Sequence, residues 1–369
     1  MKYDVVVVGG GPAGAATAYF LTKHGAKVLV IEKKKLPRYK ICAGGVPVSA
    51  LEYFPFSFES VIEQYIHRAS FFYKDKKVNI DIPKRCLVMV MRDRFDYFLI
   101  QKSGAEVLDN ECVEKIRQYK THCTISLKRG GEIKTKYVIG ADGAGSVVAK
   151  SVGLFQKCDL GLALEAEIEV DEAVLNRYQS MFQVGFGVLS YGYFWIFPKK
   201  RHLSVGIGCI KKKERMLQKL NKLVSQLGLT KNPCRVFAHP IPFHQGNYNI
   251  NKNNVFLVGD AAHLVDPFTG EGIRHAILSG FIAAQCILKR DEHKYSEQIK
   301  AKIGKDLLWA KRLANFFYKH QGFCFRYFVS NPSVVNAFMK IISNRITYKR
   351  CMFRAPYYFL IDFLSKLKK

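Results

Sequence analysis

The stretch Tyr3–Gly14 reads YDVVVVGGGPAG, and its interpretation decides the fold. Tyr3 to Val8 is a run of β-forming residues broken only by Asp4, the composition of a strand buried on both faces. It enters G-x-G-x-x-G at Gly9, Gly11 and Gly14, after which Ala15 to Lys23 continues as a small-residue helix. In such a strand, tight turn and helix, Gly9 permits the turn, Gly11 lets a pyrophosphate approach the backbone, and Gly14 lets helix pack on strand. The helix N-terminus then offers unpaired N–H groups to the anion. A second strand, Lys27 to Ile31, ends at Glu32, close to where an acid meets the ribose hydroxyls of an adenosine half. A lone glycine fingerprint is weak; with strand, helix, strand and terminal acid in register it specifies a Rossmann-like dinucleotide-binding domain of the α/β class.

The fingerprint does not separate NAD from FAD, and two further segments do. Tyr137–Lys150 reads YVIGADGAGSVVAK, and Val255–Ile273 reads VFLVGDAAHLVDPFTGEGI. Each is a buried strand followed by a glycine and an aspartate, Gly140 and Asp142 in one and Gly259 and Asp260 in the other, before a helix start. An acid just past a strand's carboxyl end suits a ribityl hydroxyl, and the Gly270 to Gly272 amides at a helix start suit polar flavin atoms. With these three motifs in order, the chain resembles the flavoprotein monooxygenase and geranylgeranyl reductase superfamily. A fourth element, Val90–Leu99 (VMRDRFDYFL), resembles that superfamily's R-x-x-F-D helix start, with Arg92 as the residue that reaches the flavin's phosphate or ribityl region. The GADG segment carries Ala149 where an Arg commonly stands, with Lys150 beside it as a substitute. A strand Cys112–Ile116 falls where the superfamily pairs backbone with adenine, at Val113.

Lys40–Pro47 (KICAGGVP) and Tyr191–Lys199 (YGYFWIFPK) look like the geranylgeranyl reductase branch, as does Thr269–Ile273, whereas His263 is more usual in aromatic hydroxylases. The resemblance implies FAD as cofactor, a GR2-type FAD/NAD(P)-binding Rossmann-like domain, and an inserted antiparallel β-sheet substrate domain. It adds Ala13, Cys42, Ala43, Gly45 and Ile273 to the cofactor-binding residues, and it places Cys42, Tyr193 and Trp195 at the substrate cavity as candidate catalytic residues. The reaction it implies is hydride transfer from reduced flavin to a C=C bond of an isoprenoid chain, with a proton arriving at the other carbon. The substrate is then an isoprenoid-bearing lipid or quinone in a long apolar tunnel. The alternative is an FAD-dependent monooxygenase acting on an apolar or aromatic substrate; a halogenase ranks below both. Pro37, Arg38 and Lys40 stand open between anchoring FAD phosphate and lying in solvent. No second G-x-G-x-x-G opens a helix, so electrons come from transient NAD(P)H or from a donor such as ferredoxin.

Composition sets the remaining bounds. The chain has 369 residues, 49% hydrophobic and 13% aromatic, which excludes disorder as the main state, and no window of 18 consecutive apolar residues. Ten cysteines without a C-x-x-C pair read as scattered thiols of a reducing cytosol, with no metal site. Motif spacing divides the chain into an FAD-binding domain at 1–50, 86–155 and 250–290, a substrate domain at 51–85 and 156–249, and a helical region at 291–369. Lys212–Leu227 reads as a helix, with Pro332 and Pro356 as breaks in the last region. The net charge is +28, and Lys289–Lys369 carries 18 basic against 5 acidic residues, interleaved with aromatics. Basic and aromatic residues together suit a membrane headgroup region, giving a cytoplasmic protein with a peripheral membrane surface; the other reading is that the aromatics cap the substrate domain and the lysines are solvated. Nucleic acid ranks last as a partner, since the flavin motifs leave it no role.

Overall fold

Valine-rich Tyr3–Val8 lies near the middle of an eight-stranded sheet in the computed structural model, which describes residues 1–83, 86–156, 160–210, 215–229 and 235–355. Along the main path the strands are Asn251–Lys252, Val255–Leu257, Glu132–Gly140, Tyr3–Val8, Val28–Glu32 and Glu106–Asp109. Val255–Leu257, Glu132–Gly140, Tyr3–Val8, Val28–Glu32 and Glu106–Asp109 pair in parallel, so helices must cross over between them. Cys123–Leu127 joins Glu132–Gly140 antiparallel and carries Val113–Gln118 on its other side. Helix Pro12–Thr22 is buried almost throughout, packed between helices Arg92–Ser103 and Ile273–Leu288. A Cβ on Gly280 would sit 2.6 Å from the Ala13 carbonyl oxygen and 2.7 Å from Thr17 Oγ1, so Gly280 is what lets the two helices meet.

The chain separates into two compact units. The first comprises 1–40, 92–159 and 241–308, and contains this sheet; the second comprises 41–91, 160–240 and 309–369. These limits differ from those expected from motif spacing. Gly45–Pro47 and Leu87–Val90 pair with each other and with Ile62–Ile66 in a three-stranded sheet, which draws 41–50 and 86–91 into the second unit.

The second unit is organised by a seven-stranded sheet in the order Val236–Ile241, Gly161–Glu169, His202–Cys209, Gly192–Pro198, Met181–Phe186, Arg68–Tyr73 and Lys76–Asp81. It departs from the expected antiparallel sheet where Met181–Phe186 and Arg68–Tyr73 run parallel. One face carries Leu164, Ile168, Phe194, Ile196, Leu203, Val205 and Ile207, packed with Met216, Leu220 and Leu223 of helix Met216–Gln226. That helix is the one expected at 212–227; residues 212–214 lie outside the described residues. The alternate positions Tyr193, Trp195 and Phe197 point to the opposite face, as the period of two requires.

The aromatics after 308 divide between the sheet and solvent. Phe317 stacks edge-on against Phe186 at 4.8 Å and Phe325 stacks on Tyr73 at 5.7 Å, so these two cap the sheet. Phe316, Phe323, Tyr327 and Phe353 remain exposed. Pro332 marks the expected break: helical Phe325–Val329 ends before it, and it opens helix Pro332–Ile342 at the first turn, with the Asn331 side chain capping the Ser333 and Val334 amides. Pro356, Tyr357, Tyr358, Phe359 and Phe363 lie outside the described residues.

Gly206 is the tightest point of the sheet near these aromatics: a Cβ there would stand 2.1 Å from the Trp195 ring and 2.6 Å from the Leu164 carbonyl oxygen. Gly206→Ala is therefore expected to cost about 1–3 kcal/mol by forcing the indole aside. In a Trp309→Phe background, which leaves Trp195 as the remaining tryptophan, the same substitution should shift the emission maximum while lowering Tm.

Candidate active site

The glycine turn of the first unit is built by close approach. Gly9 has φ +108° and its Cβ would lie 2.3 Å from the Ala141 carbonyl oxygen, while a Cβ on Gly14 would lie 2.0 Å from the Gly9 carbonyl oxygen. Only glycine fits either position. Gly11 is different: the atoms nearest its missing Cβ are guanidinium nitrogens, Arg38 Nη2 at 3.7 Å and Arg92 Nη2 at 3.9 Å. Two cationic groups thus face the first turn of helix Pro12–Thr22, whose amide end is itself electropositive. Ala13 serves packing, with its Cβ 2.9 Å from where a Cβ on Gly259 would sit and its carbonyl accepting Thr17 Oγ1.

A chain of four buried charges holds those guanidinia. Arg38 reaches Glu32 Oε2 at 3.3 Å and Asp96 Oδ2 at 3.0 Å, and Arg92 forms a fork on Asp96 at 2.7 and 2.8 Å. Burial alone would push the Asp96 carboxyl up, but Arg92, Arg38 and Lys40 outweigh it and hold it below the usual carboxylate range. Glu32 closes the chain by accepting the Gly10 amide at 2.9 Å. The Arg38 side chain is therefore paired and only 9% exposed, which removes the solvent reading. Lys40 pairs with Asp260 at 3.6 Å. Asp96 is the member that the sequence reading left without a role. Its signal was the i,i+4 spacing of Arg92 and Asp96, which places both on one helix face.

Asp142 follows strand Glu132–Gly140, and its Oδ2 accepts the Val147 and Val148 amides at 2.6 and 3.1 Å, capping helix Val147–Val152. Its Oδ1 is buried without a hydrogen-bond partner, and burial raises the carboxyl's pKa. Ala149 is buried, whereas Lys150 is exposed with its ammonium over Phe155 at 5.0 Å. Val113 begins its strand, buried.

The third motif folds around Asp266, another residue without an assigned role. Asp266 Oδ1 accepts the Phe268 and Thr269 amides, and its carbonyl accepts Gly270, which has φ +72°. This loop sets Gly272 as the N-cap and Ile273 as the first residue of helix Ile273–Leu288. An Asp before Pro and Gly is the readable signal of such a turn. Gly259 donates to Ser279 Oγ at 2.9 Å, and His263 is buried in a left-handed conformation at φ +53°.

In the second unit, Gly44 has φ +70° and its Cβ would meet the Val90 carbonyl oxygen at 2.1 Å and Lys199 Nζ at 2.5 Å. Lys199 is fully buried and donates to the carbonyls of Ala43 (2.6 Å) and Val90 (2.9 Å), which fixes the Cys42–Gly45 segment against strand Leu87–Val90. Cys42 Sγ accepts the Gly44 amide at 3.4 Å, and a Cβ on Gly45 would touch the Phe197 ring at 3.1 Å. Cys42, Ala43, Gly45, Tyr193 and Trp195 thus belong to one unit, and the other candidate residues to the first.

The FAD binding domain family matches residues 2–187. The digeranylgeranylglycerophospholipid reductase of Methanocaldococcus jannaschii is 32% identical over 305 residues, covering 78% of this chain and 77% of its own. The chloroplastic geranylgeranyl diphosphate reductase of Arabidopsis thaliana is 31% identical over 318 residues, covering 79% of this chain and 67% of its own. Among solved structures, a geranylgeranyl bacteriochlorophyll reductase-like protein from Thermoplasma acidophilum shares the fold, with a TM-score of 0.76 over 98% of this chain and 95% of that one at 23% identity.

His275, two residues into the helix after the third motif, yields a pH test. Arg274 can only donate, so its 3.3 Å contact makes His275 Nε2 an acceptor. Burial first, and then the Arg274 charge, push its pKa down to about 3. Between that value and the unfolded value near 6.5 the unfolded chain binds the extra proton, so stability is lost as pH falls through this range, by up to ~1.4 kcal/mol per unit. His275→Gln should remove this slope. Equal slopes for variant and wild type in urea unfolding from pH 6.5 to 4.5 would show that His275 titrates normally.

Proposed function

This chain belongs to the geranylgeranyl reductase family of FAD-dependent oxidoreductases, and we propose that it saturates C=C bonds of an isoprenoid chain carried on a lipid or quinone. The observation that carries the substrate class is the sheet face bearing Tyr193, Trp195 and Phe197, continued by Phe71, Phe182 and Phe186 and capped by Phe317 and Phe325. An unactivated alkene has no polar handle, and a surface of aromatic rings recognises it by area and shape.

The cofactor is FAD, and three features of the first unit suit it: the tight glycine turn, the two guanidinia at Gly11, and the orphaned Oδ1 of Asp142. In this reading Gly9, Gly11 and Gly14 with Arg38 and Arg92 hold the pyrophosphate, and Glu32 faces the adenosine ribose. Asp142, Asp260 and the Gly270–Ile273 amides take polar groups of the flavin half. Reduced flavin, when bound, is a hydride source. The protein's part is to neutralise phosphate charge, to fix the Cys42–Gly45 turn through Lys199, and to keep water from the aromatic face. Its reductant is NAD(P)H or a protein donor.

The test is anaerobic: flavin reduced with dithionite, then a geranylgeranyl glycerophospholipid or menaquinone added, with mass spectrometry of the extract. Products at +2 Da with reoxidation of the flavin spectrum are expected. No +2 Da product, and a +16 Da product once air is admitted, would overturn this reading in favour of a monooxygenase.

A lipid-borne substrate calls for a lipid surface, and the residues after 308 supply the chemistry. Leu307–Ile361 contains nine Lys and Arg and neither Asp nor Glu. Within it, Phe323 contacts Tyr327 at 4.9 Å and Phe328 at 6.0 Å, Phe316 contacts Phe328 at 6.5 Å, and Arg326 lies over Tyr327, with Phe316, Phe323 and Tyr327 near half exposed. Among the described residues no helix is long and apolar enough to cross a membrane. Attachment in this reading is peripheral, with rings in the headgroup layer and cations on anionic lipid. Phe323→Ser should weaken binding to vesicles of phosphatidylglycerol and phosphatidylcholine, and Arg326→Ser should weaken it about fivefold at ~1 kcal/mol per basic residue. Equal binding by wild type and both variants, or binding insensitive to salt, would remove the patch from the account.

A further inference from the structure

The segment Gln321–Val329 is set apart from the helices on either side of it. His320 leaves helical geometry at φ −123° and ψ 40°, and Asn331 leaves it again at φ −101° and ψ 111°, just before Pro332. Between these breaks lie the single turn Gln321–Cys324 and the π-helical turn Phe325–Val329, in which the Ser330 amide donates to the Phe325 carbonyl. A helix this short has little stability of its own, and π turns recur where function needs a helix to give way. Its contacts therefore decide where it sits.

The inner side is latched to the sheet of the second unit. Gln321 is buried; its Oε1 accepts the Gly187 amide at 2.6 Å, and its Nε2 donates to the Leu189 and Ser190 carbonyls at 2.9 and 2.8 Å. Tyr73 lies between two glycines, since a Cβ on Gly187 would stand 3.1 Å from its ring and a Cβ on Gly322 2.9 Å from its hydroxyl, while Phe325 stacks on it. Tyr73 pairs with Phe186, and two residues earlier in the same register Phe71 pairs with Val184, which pairs with Trp195. Tyr73 is thus an edge of the aromatic sheet face. The outer side carries Phe323, Arg326 and Tyr327, all exposed, with Arg326 over the Tyr327 ring. The same chemistry continues on the preceding helix Lys305–Lys319, where Trp309, Arg312 and Phe316 recur at i, i+3 and i+7 and Arg312 lies over Trp309 at 4.4 Å. Rings beside guanidinia fit an anionic lipid surface.

An element latched to a sheet on one side and built for lipid on the other has two places to be. We propose that Gln321–Val329 is a lid over the Tyr73 edge of the aromatic face, latched by Gln321 and released when Phe323 and Tyr327 enter an anionic lipid surface, so that a lipid-borne isoprenoid chain reaches the face at that edge. It rests on the isoprenoid and membrane-surface readings above. Release exchanges the three Gln321 bonds for bonds to water, a small net loss for each, against apolar ring area taken out of water.

The experiment uses the full-length, flavin-loaded protein with and without vesicles of phosphatidylglycerol and phosphatidylcholine. Two inward-facing reporters are read by peptide mass spectrometry: deuterium exchange at the Gly187 amide, and alkylation of Cys324, which is buried with its thiol pushed up to about 11. Vesicles should speed both about tenfold, the size of one lost hydrogen bond. Gln321→Ala should speed both to a similar degree without vesicles and leave vesicles little to add, a loss of lipid response that a merely structural role would not produce. Phe323→Ser, an exposed change that keeps the latch, should match wild type without vesicles and need more vesicle for the same rise. If wild type sediments with vesicles while both reporters keep their rates, or if Gln321→Ala leaves both rates at the wild-type level, the lid is overturned and the attachment stands. If wild type does not sediment with vesicles, the membrane-surface reading fails and the lid fails with it. Neither reporter depends on turnover, so a failure of the reductase reading shows separately, in the +2 Da test.

Discussion

The pairing of two guanidinia with two carboxylates beneath the glycine turn is the interaction on which the first unit depends. Arg92 is buried and the Arg38 side chain is only 9% exposed, and a cation so far out of solvent is tolerated only when paired and hydrogen-bonded. Asp96 supplies the shared anion and Glu32 the second, itself tied to the Gly10 amide. The assembly is neutral in itself, and both arginines keep an Nη2 within 4 Å of the Cβ position at Gly11. A neutral cluster with cationic edges is cheaper to hold folded than two bare arginines would be, and it still offers donors to a polyanion. The tight packing at Gly9, Gly14 and Gly280 follows the same demand, since it brings the helix N-terminus alongside those donors.

The second unit uses buried charge for a different end. Lys199 is surrounded by main-chain carbonyls, and its donors fix the backbone of Ala43 and Val90 at the same time. Burial lowers its pKa, while Glu165, Cys42, Glu63 and Glu167 pull the other way. A lysine here is a point charge with three directed donors, enough to hold a glycine turn that no side chain could otherwise reach. At Gly44 even a methyl group would collide with the ammonium, so turn and cation specify each other.

How far the chain could be read in advance follows from where the information lies along it. Strand, glycine turn, helix and acid at 3–32 are contiguous, so hydrophobic period and glycine spacing suffice to place them. The alternation of Tyr193, Trp195 and Phe197 is likewise local, and the strand puts all three on one face. What was not legible depends on pairing between distant segments. The parallel pair Met181–Phe186 with Arg68–Tyr73, and the three-stranded sheet that draws 41–50 away from the glycine turn's unit, are contacts across twenty or more residues with no local signature. Ring orientation in the tail is of the same kind: adjacent Phe316 and Phe317 differ in fate because a helix turns 100° per residue, so one meets Phe186 and the other meets solvent.

Asp142 and Glu165 complete the contrast, since each is a buried carboxyl held by different donors. In Asp142 the engaged oxygen takes two backbone amides, which favours the anion and suits a fixed hydrogen-bond acceptor. In Glu165 Oε1 bonds the Ser204 hydroxyl, which also bonds Trp195, and the Cys42 backbone N–H bonds the carboxyl, yet burial outweighs both. Burial raises the pKa of both carboxyls, and the two amides on Asp142 and the hydroxyl on Glu165 each pull against it. A backbone cap cannot be withdrawn without unfolding the helix it starts, so Asp142 is suited to holding a ligand.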